Sequence, residues 1–198
     1  MARTTTSDPE TTIWTRKKDL LYFVFFGIHL VVMFLVDLTP LYPAKLKPAF
    51  LTDLRTYYVE TYRDQFFVAP PAWFNTYMYM ELLYHVPLSV WSLGALLRND
   101  PLVPVHLLVY ATQTAITTIT CIADYMSWTV VSDVEKLELG KLYVPYLMLS
   151  IFMGVDMFGR LCARLTPANG KRGSSTTAAA SAGSNGKKQA KTRSKKRV

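Results

Sequence analysis

Charged residues are scarce in this sequence. They make up 18% of the 198 residues, whereas hydrophobic residues make up 51%; soluble domains carry roughly 25% charged residues. The chain has two cysteines, Cys121 and Cys162, too few for a disulfide framework or a metal knuckle. A glycine-rich phosphate loop, a serine-nucleophile motif and a zincin motif are also missing. No cofactor or metal is therefore predicted, and the composition favours a membrane protein.

Acidic residues are absent from the last part of the chain. Residues 166–198 contain nine Lys and Arg and no Asp or Glu, while the net charge of the whole chain is +8. Residues 1–165 therefore carry a net charge of −1. A basic groove that follows nucleic-acid phosphates has no support in this near-neutral part. Nucleic acid is not an expected partner.

Four apolar runs are long enough to cross a bilayer, which takes about 20 residues of helix. Four such runs would leave a soluble protein too little polar surface to cover them. The predicted fold is an all-α integral membrane four-helix bundle, with a domain over residues 20–165 and an N-terminal segment over residues 1–19. The predicted spans are residues 20–36, 73–97, 102–122 and 142–158.

Basic residues outside the spans predict the orientation. Sixteen Lys and Arg lie in residues 1–19, 98–101 and 159–198, against six in residues 37–72 and 123–141. Basic residues concentrate on the cytosolic side of a membrane. We therefore expect both termini in the cytosol and the 37–72 and 123–141 loops in the lumen. A cleaved signal peptide is the alternative for the first run, but its 17 apolar residues exceed the usual length of about 7–15.

The tail over residues 166–198 lacks large apolar residues before Val198 and is expected to be disordered. Lys195 and Lys196 stand four and three places from the end of the chain. This is the spacing of a dilysine signal, which coatomer reads in proteins retrieved to the endoplasmic reticulum. The predicted location is the endoplasmic reticulum membrane. The alternative is a generic basic tail that contacts anionic lipid.

A carboxyl group inside a span usually faces the bundle interior and marks function, because its insertion costs about 2.5–3.5 kcal/mol. Glu81 is such a residue, and Tyr77 and His85 lie on the same helix face at i−4 and i+4. Facing stripes on spans three and four would complete a cavity for a small apolar ligand. These stripes consist of Tyr110, Gln113, Thr114, Thr117, Cys121, Tyr143 and Tyr146.

The remaining acids and histidines have simpler interpretations. By position alone Asp37 and Asp64 are expected in water, and Asp156 is expected to form a surface pair with Arg160. His29 and His106 are expected to be packed or hydrogen-bonded, since no metal-binding spacing joins them to an acid. Apolar residues at helical spacing in residues 39–72 predict an amphipathic helix over the lumenal mouth that ends at Pro70-Pro71.

Several motifs resemble the sigma-2 receptor branch of the EXPERA family over residues of about 16–165. They are Phe34-Leu35-Val36-Asp37-Leu38, Tyr62-Arg63-Asp64, Pro70-Pro71-Ala72-Trp73-Phe74 followed by Glu81, and Tyr143-Val144-Pro145-Tyr146. The resemblance implies a homodimer with a deep pocket, open toward lipid, that accepts sterols and lipophilic amines.

The same resemblance assigns the site residues. Asp37 and Glu81 match the paired pocket carboxyls, which replaces the solvated interpretation of Asp37. Two such acids in a low-dielectric site do not readily both ionise, so Glu81 is expected to stay protonated and to donate to Asp37. Asp64 matches an acid that supports the lumenal cap. The implied pocket walls are Tyr110, Thr117 and Tyr146, and His85 shares the helix face of Glu81.

These residues leave three functions open. The first is sterol or amine binding that regulates intracellular sterol handling. The second is a sterol Δ8–Δ7 isomerase, because the superfamily that this sequence resembles includes such enzymes. His29 and Glu81 could serve as the acid and base of that reaction. Met33 stands where the isomerase branch carries a Glu four residues after the His, which favours binding over catalysis. The third is a structural scaffold with a vestigial pocket.

Overall fold

A computed structural model describes residues 12–166, and the regular segments in that range are helical. The described residues up to Ala163 form one compact unit. The predicted dilysine signal at Lys195 and Lys196 lies outside the described residues. The α-helices are α1 Lys17–Val32, α2 Ala49–Tyr62, α3 Ala72–Met80, α4 Val86–Leu97, α5 Val103–Ser127 and α6 Asp133–Leu165.

Four helical stretches are long and apolar enough to cross a membrane, as predicted. They are Lys17–Asp37, Ala72–Leu97, Val103–Ser127 and Asp133–Leu165. Large apolar side chains such as Ile28, Ile116 and Val155 are 62%, 58% and 69% exposed. Apolar side chains that face outward in the middle of a helix are suited to contact with lipid tails.

The helices extend beyond the predicted spans. The expected loop over residues 123–141 is reduced to the short connection between α5 and α6. The reason is a capping box, in which the Ser132 amide and hydroxyl donate to the Glu135 carboxylate at 2.9 and 2.8 Å. The Glu135 amide donates in return to the Ser132 hydroxyl at 3.4 Å. This reciprocal pair starts α6 nine residues before the predicted span.

The first span ends in a π turn, Met33–Asp37, rather than in a regular helical turn. The Leu38 amide donates to the carbonyl of Met33, five residues back, at 2.9 Å. Pro40 has no N–H to offer the Val36 carbonyl, which accepts from the Thr39 hydroxyl at 2.7 Å instead. Asp37 is the last residue of this turn.

A second π turn, Glu81–His85, joins α3 to α4 within one continuous span. The Val86 amide donates to the carbonyl of Glu81, again five residues back. Pro87 follows directly, and it lacks the N–H that would bond the Leu83 carbonyl in an α-helix. The preceding turn widens to a π turn, which accommodates the missing hydrogen bond. The two pocket acids predicted from the sequence therefore both lie on π turns.

Helix α2 is the amphipathic helix predicted between the first two spans, but it ends earlier than expected. It stops at Tyr62 because Arg63 adopts a left-handed conformation with φ 53°. A short 3-10 turn, Gln65–Phe67, follows, and Pro71 then caps α3. This turn is not predictable from the local sequence, because Arg has no special preference for the left-handed region.

Two apolar clusters hold the spans together. In the first, α1 packs against α4, and side chains of α5 and α6 complete it. Its fully buried members include Tyr22, Phe26, Leu96, Leu107 and Met153. The second cluster lies around Phe66, Phe67, Cys121, Tyr125 and Leu139.

An ion-pair network joins the beginning of α1 to the last part of α6. Asp156 pairs with Arg160 at 2.8 Å, as predicted, but its side chain is only 7% exposed. It also accepts from Lys18 at 2.6 Å and from the Tyr22 hydroxyl at 3.1 Å. Arg160 also binds Asp19 at 2.6 Å. The interpretation of Asp156 as a surface pair was wrong, because α1 covers it.

Candidate functional site

A cavity of about 760 Å³ lies among α1, α2, α3, α5 and α6. Its volume falls in the range of about 300–1,000 Å³ that is typical of small-molecule sites. Aromatic residues from all of these elements except α5 contribute to its wall: Phe25, Tyr58, Tyr62, Phe74, Tyr77, Tyr143 and Tyr146. Such a wall suits a ligand that is mostly apolar.

The cavity reaches the outer surface between α1 and α6. Leu21, Val24 and Ile28 of α1 and Leu142 of α6 line it, and each is at least 40% exposed. These residues belong to stretches that are apolar enough to lie in a membrane. A ligand can therefore enter from the side of the bundle that lipid would cover.

Most of the predicted pocket residues meet in this cavity. Asp37, Glu81, His85, Thr117 and Tyr146 all line it. The position of Asp37 supports its assignment to the pocket rather than to water.

Tyr110 lies behind the cavity wall. It is 1% exposed, and its ring is 4.7 Å from the ring of His85 and 6.4 Å from the ring of His29. It therefore supports the site from behind.

Asp64 is completely buried and does not line the cavity. Its carboxylate accepts hydrogen bonds from Tyr58 at 2.9 Å, Tyr143 at 3.1 Å and the Phe66 amide at 3.0 Å. The solvated interpretation of Asp64 was wrong, because the side chain is enclosed by α2, by α6 and by the 3-10 turn Gln65–Phe67 that follows α2. Tyr58 and Tyr143 both line the cavity, so Asp64 fixes two wall residues in place.

Burial raises the pKa of the Asp64 carboxyl above its ordinary value, although the three hydrogen bonds act in the opposite direction. Burial also raises the pKa of the Tyr58 phenol, with the Asp64 charge adding to the effect. The Tyr58 hydroxyl therefore keeps its proton and remains a donor to Asp64.

His29, Glu81 and His85 form a cluster on the cavity wall. One ligand atom from each lies within 4.8 Å of the others. The ring of His29 stacks on Phe25 at 5.3 Å, and its Nε2 lies 3.1 Å from the Tyr146 hydroxyl. His29 is hydrogen-bonded as predicted, but its position beside Glu81 was missed, because the two residues come from different helices and share no local spacing.

The wall residues Tyr58, Tyr62 and Phe67 were also not predicted as part of the site. They come from α2 and the turn that follows it. The spacing of Tyr58 and Tyr62 at i and i+4 indicated one helix face, yet nothing local showed that this face covers a cavity. Lys141 likewise lines the cavity, and its ammonium pairs with Glu138 at 2.6 Å.

Comparison with known proteins agrees with this architecture. The model of EXPERA, the expanded EBP superfamily, matches residues 50–157, more than half of the chain. The chain belongs to the EXPERA family. The matched range includes α2 to α5 and most of α6, and therefore Asp64, Glu81 and His85.

Curated EXPERA relatives match along most of their length. Sigma intracellular receptor 2 of Xenopus tropicalis is 25% identical over 73% of this chain and 90% of its own, and the human protein of that name is 23% identical over 68% and 83%. Efficient mitochondria targeting-associated protein 19 of Schizosaccharomyces pombe is 30% identical over 72% and 76%. These matches support the resemblance to the sigma-2 receptor branch.

The raised pKa of Asp64 predicts a pH-dependent contribution to stability. This contribution is full below the ordinary aspartate pKa and is lost as the pH rises through the raised value. The Asp64→Asn variant lacks the titrating group. We therefore expect the melting-temperature advantage of wild type over Asp64→Asn to shrink as the pH rises over this range, measured by tryptophan fluorescence in detergent.

The matched control is Asp53→Asn, which removes an exposed aspartate from α2. Its melting temperature should stay parallel to that of wild type at every pH. A wild-type advantage over Asp64→Asn that is constant, or that grows as the pH rises, would contradict the assignment.

Proposed function

We propose that this EXPERA protein binds a sterol or a lipophilic amine in its intramembrane cavity and thereby regulates intracellular sterol handling. The observation that carries the proposal is the position of Asp37 and Glu81 in a cavity that is lined mainly by apolar and aromatic residues. Lipid-facing access between α1 and α6 suits a ligand that dissolves in the bilayer.

The polar groups of the cavity suit an amphiphile with one cationic or hydroxyl end. In this proposal Asp37 supplies a single negative charge for a ligand ammonium, and a protonated Glu81 donates a hydrogen bond. The aromatic walls add cation–π attraction to an ammonium and contact area for a ring system. A sterol hydroxyl could use the same two carboxyl groups.

The cellular setting belongs to the same proposal. We place the protein in the endoplasmic reticulum membrane as a homodimer, with both termini cytosolic and the Asp64 end of the bundle lumenal. The sixteen basic residues against six support this orientation. The names of the relatives refer to an intracellular receptor and to mitochondria targeting, so both a receptor role and a role in protein traffic fit regulation through the cavity.

Replacing Asp37 by Asn should weaken binding of lipophilic amines at least tenfold, or about 1.4 kcal/mol or more. The variant keeps the shape of the side chain and loses its charge. Radioligand competition on purified protein measures the effect, and Asp53→Asn is the control that removes a charge outside the cavity. Equal affinity in wild type and Asp37→Asn would contradict the proposed role of Asp37.

Replacing Lys195 and Lys196 by Ala should release the protein from the endoplasmic reticulum, because coatomer would no longer recognise the tail. The control replaces Lys187 and Lys188, which removes the same charge at a distance from the terminus. Confocal co-localisation with organelle markers measures the shift. Loss of retention in both variants would indicate a generic charge effect instead.

Sterol isomerisation is a second candidate function, favoured by the cluster of His29, Glu81 and His85. Moving a ring double bond requires an acid that protonates one carbon and a base that removes a proton from another, and imidazole and carboxyl groups can supply both. The aromatic walls would stabilise the cationic intermediate.

Growth of a yeast strain that lacks its sterol isomerase tests this candidate. If the chain is an isomerase, its expression restores normal sterols, and Glu81→Gln abolishes the rescue. If the chain only binds its ligand, neither wild type nor variant changes the sterol profile, although both are present in the membrane.

A further inference from the structure

Two of the three histidines in the chain face the same cavity. His29 comes from α1, and His85 lies four residues after Glu81 on the π turn between α3 and α4. The ligand atoms of these three side chains all lie within 4.8 Å of one another. In a cavity lined mainly by apolar and aromatic residues, this concentration of three metal-ligating groups calls for a physical explanation.

His85 provides a second, independent observation. The residue is only 3% exposed, and neither of its ring nitrogens has a hydrogen-bond partner within residues 12–166. Buried polar side chains nearly always find a partner, because an unsatisfied one costs about 1–3 kcal/mol. The His85 ring borders the cavity that Glu81 also lines, so a group bound in this cavity could be the partner of its ring nitrogens.

Two imidazoles and one carboxylate form a common ligand set for a divalent transition metal, in which a fourth position stays open to water. Tetrahedral Zn²⁺ with bonds of about 2.0–2.1 Å separates its ligand atoms by about 3.3 Å. Small side-chain rotations would bring the three groups to that separation. The Tyr146 hydroxyl, 3.1 Å from His29 Nε2, orients this ring from outside the ligand set.

Charge balance also suits a dication. Inside a low-dielectric cavity a divalent ion needs counter-charges, and Glu81 together with Asp37, which lines the same cavity, supplies two. With neutral imidazoles the complete site would carry no net charge.

We propose that His29, Glu81 and His85 bind a single divalent transition-metal ion and that Zn²⁺ fits the site best. Asp37 balances the charge, and the open coordination position faces the cavity. The metal occupies the place of a ligand ammonium, so Zn²⁺ and lipophilic amines exclude one another. The metal site itself does not depend on the proposed function, since it stands on the protein ligands alone.

The test uses the full chain with an affinity tag that contains no histidine. The protein is purified in detergent, stripped with a chelator and titrated with Zn²⁺ by calorimetry, and its metal content is measured by mass spectrometry. The exposed Cys162 is replaced by Ser in every sample to remove an adventitious ligand. We expect one Zn²⁺ per chain, and Co²⁺ in its place should give the visible absorption bands of a tetrahedral site.

The variants separate a built site from incidental binding. His85→Ala and His29→Ala should each weaken Zn²⁺ binding at least tenfold. The matched control His106→Ala removes an exposed histidine of α5 that packs on Trp91 outside the cavity, and it should bind Zn²⁺ like the parent protein.

Two results would overturn the proposal. One is substoichiometric Zn²⁺ in the parent protein together with no tetrahedral Co²⁺ spectrum. The other is Zn²⁺ binding that His85→Ala and His106→Ala affect equally. Amine binding is measured separately on the same samples, so loss of the metal site and failure of the proposed function remain distinguishable.

Discussion

Carboxyl groups placed inside a membrane protein must be compensated, and this constraint explains much of the structure around the cavity. Asp64 is compensated entirely by the protein, through the Tyr58 and Tyr143 hydroxyls and the Phe66 amide. These bonds connect α2, α6 and the turn between α2 and α3, and they fix two aromatic walls of the cavity. Asp37 and Glu81 instead face the cavity, so their compensation can come from a bound cation or a hydrogen-bonding ligand. Asp64 thus stabilises the walls of the cavity, whereas Asp37 and Glu81 are available to contact a ligand.

The helices deviate from regular geometry where these two acids lie. Asp37 ends one π turn and Glu81 begins the other, and a proline follows each turn within three residues. Because proline removes an amide donor, the preceding backbone widens and redirects its side chains. Single π turns inside helices occur frequently at functional sites. The loss of an amide donor at each proline therefore removes a regular helical hydrogen bond and also places the acids in the cavity wall.

Residue spacing predicted the parts of the molecule that depend on local pattern. Hydropathy located all four spans, and the i and i+4 relation of Glu81 and His85 placed both on one wall. The Asp64 environment was not predictable from its polar neighbours, because its tyrosine donor from α6 is 79 residues away. The same holds for His29, which meets Glu81 only after α1 packs against the second span. Only the family resemblance assigned Asp37 to the pocket, since its position at the end of a span equally suits an acid in water.

The central claim is that the cavity holds a sterol or a similar amphiphile. The most direct measurement is mass spectrometry of the lipids that co-purify with the protein in mild detergent, compared with the lipids of the source membrane. The account predicts one amphiphile enriched to about one molecule per chain in wild type. It also predicts loss of this enrichment when a bulky Trp replaces Thr117 in the cavity wall. A lipid profile identical to that of the membrane, in wild type and Thr117→Trp alike, would contradict it.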